Sequence, residues 1–156
     1  MRRTGFTEEH QAFRAMFRAY LAREVVPEYT DWLAAQQVPR GFFLGLGKLG
    51  VVGMALPEQY GGGGRKDFRF NAVLSEEAAR VGVSFDSVRV HMDVVVPYFD
   101  RYGTAEQRAR WLPGICAGEL ITAIAMTEPG TGSDLAGIAT TAVRDGDHWT
   151  PTAAAG

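Results

Sequence analysis

The sequence has 156 residues, 46% of them hydrophobic, and its 16 basic and 18 acidic side chains leave a net charge of −2. This is the length and apolar content of one ordinary globular domain, and a near-neutral chain without Lys/Arg clusters interleaved with aromatics excludes nucleic acid as an expected partner. No stretch reaches the ~18 consecutive apolar residues of a membrane span, and a single cysteine, Cys116, excludes an internal disulfide and suits a reducing compartment.

The start, Met1-Arg2-Arg3-Thr4-Gly5-Phe6-Thr7, turns acidic and amphipathic without the apolar core or cleavage site of a signal peptide, so a cytoplasmic location is expected. Thr7 is expected to be an N-cap, with Glu8 and Glu9 in the first turn. Phe13, Met16, Phe17, Tyr20 and Leu21 then follow at helical spacing up to Pro27. A short helix is expected around Tyr29 to Gln36, with Tyr29, Trp32 and Leu33 on one side. Pro39 opens a third helix carrying Phe42, Phe43, Leu46 and Leu49, closed by Gly50.

Val51 to Pro57 is too short for a helix and too apolar for solvent, which predicts a buried extended connector. Gly61 to Gly64 predict a flexible loop, because four glycines in a row carry too much backbone entropy for regular structure. From Asp67 to Val81 the pattern is helical again, with Phe70, Val73, Leu74 and Ala78 toward a core and Glu76, Glu77 and Arg80 toward solvent. Phe85 to Val95 predict a central, largely buried helix broken by Pro97. His91 within it is expected to be a core or substrate-lining residue, since no Cys, His or carboxylate stands at metal-ligand spacing; no metal site is expected.

Thr104-Ala105-Glu106-Gln107 has the form of a capping box opening a helix through Trp111 and Leu112 to about Pro113, with Cys116 a buried spectator beyond it. After Gly118 the periodicity changes. Leu120 to Met126 and Ile138 to Arg144 predict strands, and Asp145-Gly146 a hairpin turn into His148-Trp149-Thr150. The expected layout is mainly α: a helical domain over residues 1–118, then the opening strands of a β-domain over 119–156. A hairpin plus one strand leaves edges unpaired, so this second part is expected to continue in a longer protein.

Between those strands lies Ala125-Met126-Thr127-Glu128-Pro129-Gly130-Thr131-Gly132-Ser133-Asp134, where an apolar run breaks into a loop of alternating glycines and hydroxyls. Glycine lets backbone N–H groups approach a ligand, and Thr and Ser add short donors. The Rossmann fingerprint would need a third glycine at Leu135, and the P-loop would need Gly-Lys-Ser/Thr at Gly132-Ser133-Asp134, so both common phosphate motifs fail.

Over nearly its whole length the chain resembles the flavin-dependent acyl-CoA dehydrogenases. The resemblance is carried by Leu56-Pro57-Glu58-Gln59-Tyr60-Gly61-Gly62, by Tyr102-Gly103-Thr104-Ala105-Glu106-Gln107 with Trp111-Leu112-Pro113, and by Gly118-Glu119-Leu120. Above all it rests on Met126-Thr127-Glu128-Pro129-Gly130-Thr131-Gly132-Ser133-Asp134-Leu135-Ala136-Gly137. It implies an N-terminal helical-bundle domain, a middle β-barrel domain and a C-terminal helical bundle, with FAD between them. The implied reaction is α,β-dehydrogenation of an acyl-CoA: a carboxylate removes the α-proton, the β-hydrogen leaves as hydride to flavin N5, and electrons pass to an electron-transferring flavoprotein. A homo-oligomer, dimer or tetramer, is implied for the full-length enzyme.

By the same resemblance Ile124, Ala125, Met126, Thr127, Glu128, Pro129, Gly130, Thr131, Gly132 and Ser133 correspond to the first flavin-binding segment. Met126 and Thr127 would lie against the pyrimidine side of the flavin, where fixed donors stabilise the charge of the reduced form. Ser133 would also contact acyl-CoA. Glu128, beside Pro129, is expected to orient the turn rather than act as base. After the hairpin the sequence departs from the family pattern: Trp149-Thr150-Pro151-Thr152 replaces the expected Asn-Gly turn, and the aromatic-Ile-Thr-Asn segment does not follow. No Asp or Glu matches the catalytic base, so no catalytic residue is assigned and the chain alone is expected to be inactive. The rival expectations are a non-catalytic helical interaction module that needs a partner chain, and an acyl-CoA oxidase-like flavoenzyme.

Overall fold

A computed structural model describes residues 5–152; the Met1-Arg2-Arg3-Thr4 start and the Ala153-Ala154-Ala155-Gly156 tail lie outside the described residues. Two units are distinguished, Met1–Ala123 and Ile124–Gly156.

The first unit is helical. Its elements are α1 (Glu8–Tyr20), α2 (Tyr29–Ala34), α3 (Arg40–Lys48), α4 (Arg69–Arg80), α5 (Asp86–Arg89), α6 (Val96–Tyr102) and α7 (Ala105–Cys116). At the head of α1 the Thr7 N–H donates to His10 Nδ1 at 3.1 Å. Thr104 and Gln107 form the expected capping box of α7, Gln107 N–H donating to the Thr104 hydroxyl at 3.2 Å and Thr104 N–H to Gln107 Oε1 at 2.9 Å. Phe17, Leu21, Leu46, Leu74, Leu112 and Ile115 form the driest part of the core, and each such side chain contributes about 2 kcal/mol by leaving water. α1 packs on α4 and α6 on α7. Phe85 receives Phe17 and Phe42 edge-on, each at 5.4 Å between ring centroids. Cys116 is buried and free, as expected, and burial pushes its thiol pKa up.

Several expectations are corrected here. Pro97 does not break a helix: α5, a π-helical stretch Val90–Val95 and α6 run on without interruption. The wide π turn precedes the proline, and wide turns are where a helix absorbs a residue that offers no N–H to its ladder. The helix is also buried on one side only, Val90 and Val94 being 40% and 41% exposed. Pro113 likewise sits inside α7 rather than at its end.

Glu77, expected to face solvent, is 2% exposed. It accepts hydrogen bonds from Arg14 at 2.7 Å and from Arg18 at 2.7 and 3.0 Å. Helical periodicity marks which face is buried but cannot see that two guanidiniums on α1 wait for a charge on α4.

The Val51 to Pro57 connector buries Val51, Val52, Gly53, Met54 and Leu56, while Ala55 is exposed and Pro57 half-buried, and it is a string of turns rather than extended. The tetraglycine is no flexible connector: Gly63 N–H donates to Gly53 O (3.1 Å), Gly64 N–H to Leu56 O (2.8 Å) and Arg65 N–H to Met54 O (2.7 Å). A Cβ on Gly62 would collide with the Leu56 carbonyl. The glycines are there so that one backbone can lie directly on another.

The second unit contains one antiparallel hairpin, β1 (Thr141–Asp145) and β2 (His148–Thr152), with Thr141 opposite Thr152 and Asp145 opposite His148. Gly146 has φ +58°, the left-handed conformation that a two-residue hairpin turn demands. Both strands are exposed throughout. The strand expected from Ile138 begins only at Thr141, because the amides of Ala139 and Thr140 are drawn to the Glu128 carboxylate instead of to a ladder. The strand expected over Leu120 to Met126 is not one: no neighbouring backbone pairs with it among the described residues. Apolar content specifies neither a strand partner nor burial, and Leu120, Ile121, Ile124 and Met126 stand 39–42% exposed.

Candidate functional site

The chain leaves α7 by a route that polar contacts hold. Glu119 and Leu120 N–H both donate to Gly114 O, at 2.9 and 3.0 Å, and Arg40 donates to the Glu119 carbonyl. Two residues on, the Thr122 N–H donates to Nδ1 of His91 at 3.1 Å, and the Thr122 hydroxyl lies 2.7 Å from the same nitrogen. Accepting from a backbone N–H requires an unprotonated Nδ1, which assigns the ring proton to Nε2. His91 is 1% exposed, and burial holds its pKa below the ordinary value. It is therefore a neutral anchor. Among the described residues no group of His, Cys, Asp and Glu is arranged to hold a metal ion.

In the second unit, the Glu128-Pro129-Gly130-Thr131 turn closes through paired bonds: Glu128 N–H to Thr131 O (2.9 Å) and Thr131 N–H to Glu128 O (3.0 Å). The Glu128 carboxylate reaches across the loop to accept from the N–H groups of Ala139 (2.8 Å) and Thr140 (2.9 Å). Below it the Thr131 hydroxyl donates to Gly137 O at 2.9 Å. Thr131, 7% exposed, is the buried residue of this loop.

Ala125, Met126, Thr127, Glu128 and Pro129, with Ile138 and Thr140, line a pocket of about 350 Å³. Half of the segment singled out in the sequence therefore faces one cavity. Ile124, Gly130, Thr131, Gly132 and Ser133 lie outside its lining, and the Thr131 hydroxyl is committed within the loop. The residues that sequence reasoning missed are Ile138, Ala139 and Thr140. A carboxylate next to Pro-Gly hints at a hydrogen-bonded turn, but nothing in the sequence says that its acceptors serve amides eleven and twelve residues away.

The donor set suits an anionic, heterocyclic ligand. Among the described residues the N–H groups of Met126, Thr127 and Gly132 and the hydroxyls of Thr127 and Ser133 have no partner within the chain. A Cβ on Gly130 or Gly132 would meet no atom within 4 Å, and neither glycine has a left-handed backbone. No packing inside the chain requires glycine there, and glycine leaves room for a ligand to approach the backbone. Glu128 is spent as an acceptor. The Thr140 side chain first, then the amides of Ala139 and Thr140, hold its carboxyl below the usual range, the opposite of what a base poised for proton abstraction needs.

A larger cavity of about 530 Å³ in the first unit is walled by Met54, Leu56, Met92 and Val96. Of its polar lining, Asn71 donates to Asp93 at 2.7 Å, and the same carboxylate forms an ion pair with Arg89 at 2.7 Å. The loop, with its uncommitted donors, is the better candidate site.

Comparison with known proteins identifies a family. The family model for the acyl-CoA dehydrogenase N-terminal domain matches residues 7–119. The mitochondrial long-chain specific acyl-CoA dehydrogenase of Mus musculus is 42% identical over 144 residues, covering 92% of this chain and 33% of that protein. The crystal structure of acyl-CoA dehydrogenase from Geobacillus kaustophilus superposes with a TM-score of 0.88 at 47% identity, covering 96% of this chain and 39% of that one. The acyl-CoA dehydrogenase of Bacillus anthracis, solved in complex with FAD, superposes with a TM-score of 0.76 at 29% identity, over 91% of this chain and 24% of that one. The chain thus spans about a third of the length of the curated relatives it matches.

Proposed function

The chain belongs to the acyl-CoA dehydrogenase family, and from that premise we propose that it supplies the N-terminal portion of an FAD-dependent acyl-CoA dehydrogenase. Residues 1–118 would be the helical domain and 119–156 the start of the flavin-binding β-domain, with Ile124 to Ser133 forming one half of the FAD site. Bound FAD supplies the hydride acceptor for α,β-dehydrogenation of an acyl-CoA thioester to a trans-2-enoyl-CoA. The observation that carries the reading is the set of uncommitted donors at Met126, Thr127 and Gly132 beside two glycines that the chain's own packing does not require.

Within that reading the Thr127 hydroxyl and the Met126 and Thr127 amides donate to the electron-rich edge of the cofactor, and Gly130 and Gly132 leave room for it. Ser133 offers its hydroxyl to the acyl-CoA substrate. Glu128 holds the loop and removes no proton. An electron-transferring flavoprotein is the proposed electron acceptor, the cytoplasm the proposed location, and a homo-oligomer the proposed assembly of the full-length enzyme. No helix among the described residues is long and apolar enough to cross a membrane.

The test is a chimera in which this chain replaces the matching 39% of the Geobacillus kaustophilus enzyme. The chimera is expected to purify with FAD and to reduce it when a saturated acyl-CoA is added, and Thr127→Ala is expected to weaken FAD binding about tenfold. A folded chimera that carries no flavin sinks the reading. The 156-residue chain alone, given FAD, acyl-CoA and an artificial acceptor, is expected to show no turnover; measurable turnover would overturn that part.

One observation favours an additional role in association. Val90, Val94, Tyr98 and Tyr102, spaced four residues apart along the 86–102 helix, are 40%, 41%, 57% and 69% exposed, and an apolar stripe of this kind suits a partner surface. Light scattering after size exclusion decides it: a lone monomer argues against association.

A further inference from the structure

Outside residues 128 and 131, every described residue from 124 to 152 is exposed. Burial of apolar surface therefore cannot be what holds this loop in shape, and the stretch from Gly130 to Gly132 has the most backbone entropy to lose. Apart from backbone turns, its order comes from polar ties that join residues 128 and 131 to residues 137–140. The amides of Ala139 and Thr140 and the Thr140 side chain end on one carboxylate, and the Thr131 hydroxyl donates to Gly137 O.

We propose that Glu128 is the positioning residue of the flavin-binding segment: by clamping residue 128 to residues 139–140 it holds the donors of Thr127 and Gly132 in a ligand-ready arrangement before the cofactor arrives. This rests on the FAD reading given above. Charge-assisted bonds from amides to a carboxylate are about twice as strong as neutral ones, so one side chain can order a loop that has no core beneath it. The depressed carboxyl pKa of Glu128 reports the same stabilisation of its ionised form. Preorganisation of this kind lowers the entropy cost of binding without adding a contact to the ligand.

The experiment uses the 156-residue chain and has two arms. In the first, amide exchange at Ala139 and Thr140 is followed by NMR in the parent, Glu128→Gln, Glu128→Ala and Thr131→Val. Exchange at both amides is expected to quicken about fivefold in Glu128→Ala, with Glu128→Gln intermediate because it keeps one acceptor oxygen. Thr131→Val should act mainly around Gly137. In the second arm FAD is titrated and the amide shifts of Thr127, Gly130 and Gly132 are read. The dissociation constant is expected to rise about fivefold in Glu128→Ala while the melting temperature of the helical unit stays where it was.

Unchanged exchange in Glu128→Ala overturns the clamp. Faster exchange with undiminished FAD binding overturns the positioning role, and a lowered melting temperature of the helical unit marks Glu128 as a stability residue and does the same. If FAD shifts none of the three amides in the parent chain, the positioning role in this half-site fails while the cofactor reading rests on the chimera, and the exchange arm still decides whether the clamp exists.

Discussion

A carboxylate at 2% exposure persists only where its charge is met, and Glu77 meets it with hydrogen bonds from Arg14 and Arg18. Arg18 first, then Arg14, draws its pKa from 4.5 down to about 2. Glu77→Gln is expected to cost about 2 kcal/mol in urea unfolding, because it leaves two guanidiniums short of their charge. Since the folded carboxyl binds its proton later than the unfolded one, the advantage of the parent over Glu77→Gln is full above the ordinary carboxylate pKa and drains away as pH falls toward 2. Urea midpoints of the two proteins should therefore converge on acidification. His91 acts on a different window. Its pKa is lowered by burial, so the unfolded state takes up a proton below the ordinary histidine value while the folded state resists. Stability should fall as pH drops below about 6.5, by up to about 1.4 kcal/mol per pH unit. Melting curves between about pH 7.5 and 5.5 check this, and His91→Gln, whose amide oxygen can still accept from Thr122, should flatten the difference. Neither role was legible in the chain: the helical period placed Glu77 outward and His91 inward, but the arginines that pair with one and the threonine that binds the other are 59 to 63 and 31 residues away.

The elements separate into those that local chemistry specifies and those that need a neighbour. Thr104 and Gln107 cap α7 through contacts three residues apart, so the motif and the structure agree. α4 buries Phe70, Val73, Leu74 and Ala78 as its spacing requires. The tetraglycine shows the opposite case. Four glycines read as slack when no partner is in view, yet residues 62–65 are bonded along the 53–57 backbone, too close for a side chain. Gly62→Ala is therefore expected to destabilise the helical unit by about 1–3 kcal/mol, the usual cost of forcing an extra methyl into a packed site; chemical denaturation measures it. If the residues were a loose connector, the same substitution would be neutral or slightly stabilising. Pro97 teaches a similar lesson in the other direction, since a π turn upstream lets the helix carry a residue that would otherwise end it.

At the scale of the molecule the two units differ in what holds them. Met1–Ala123 has an aromatic and aliphatic core, whereas the β-hairpin in Ile124–Gly156 is exposed along both strands. Amides around Leu74 and Leu112 are expected to exchange orders of magnitude more slowly than those of residues 141–152, as mass-detected hydrogen exchange would show. Protection of the hairpin equal to that of the core would refute this. Short-range chemistry is written in the chain itself: helical periodicity, the capping box of α7, the glycine at the hairpin turn, and a loop rich in hydroxyls and glycines. Which of those groups remain free to act is settled by the three-dimensional fold. Through contacts between residues far apart in the chain it spent Glu77 on two arginines, His91 on Thr122 and Glu128 on Ala139 and Thr140, and it left Thr127 and Ser133 uncommitted. A sequence lists donors and acceptors, but whether each is satisfied depends on which distant backbone the fold brings within three ångströms of it.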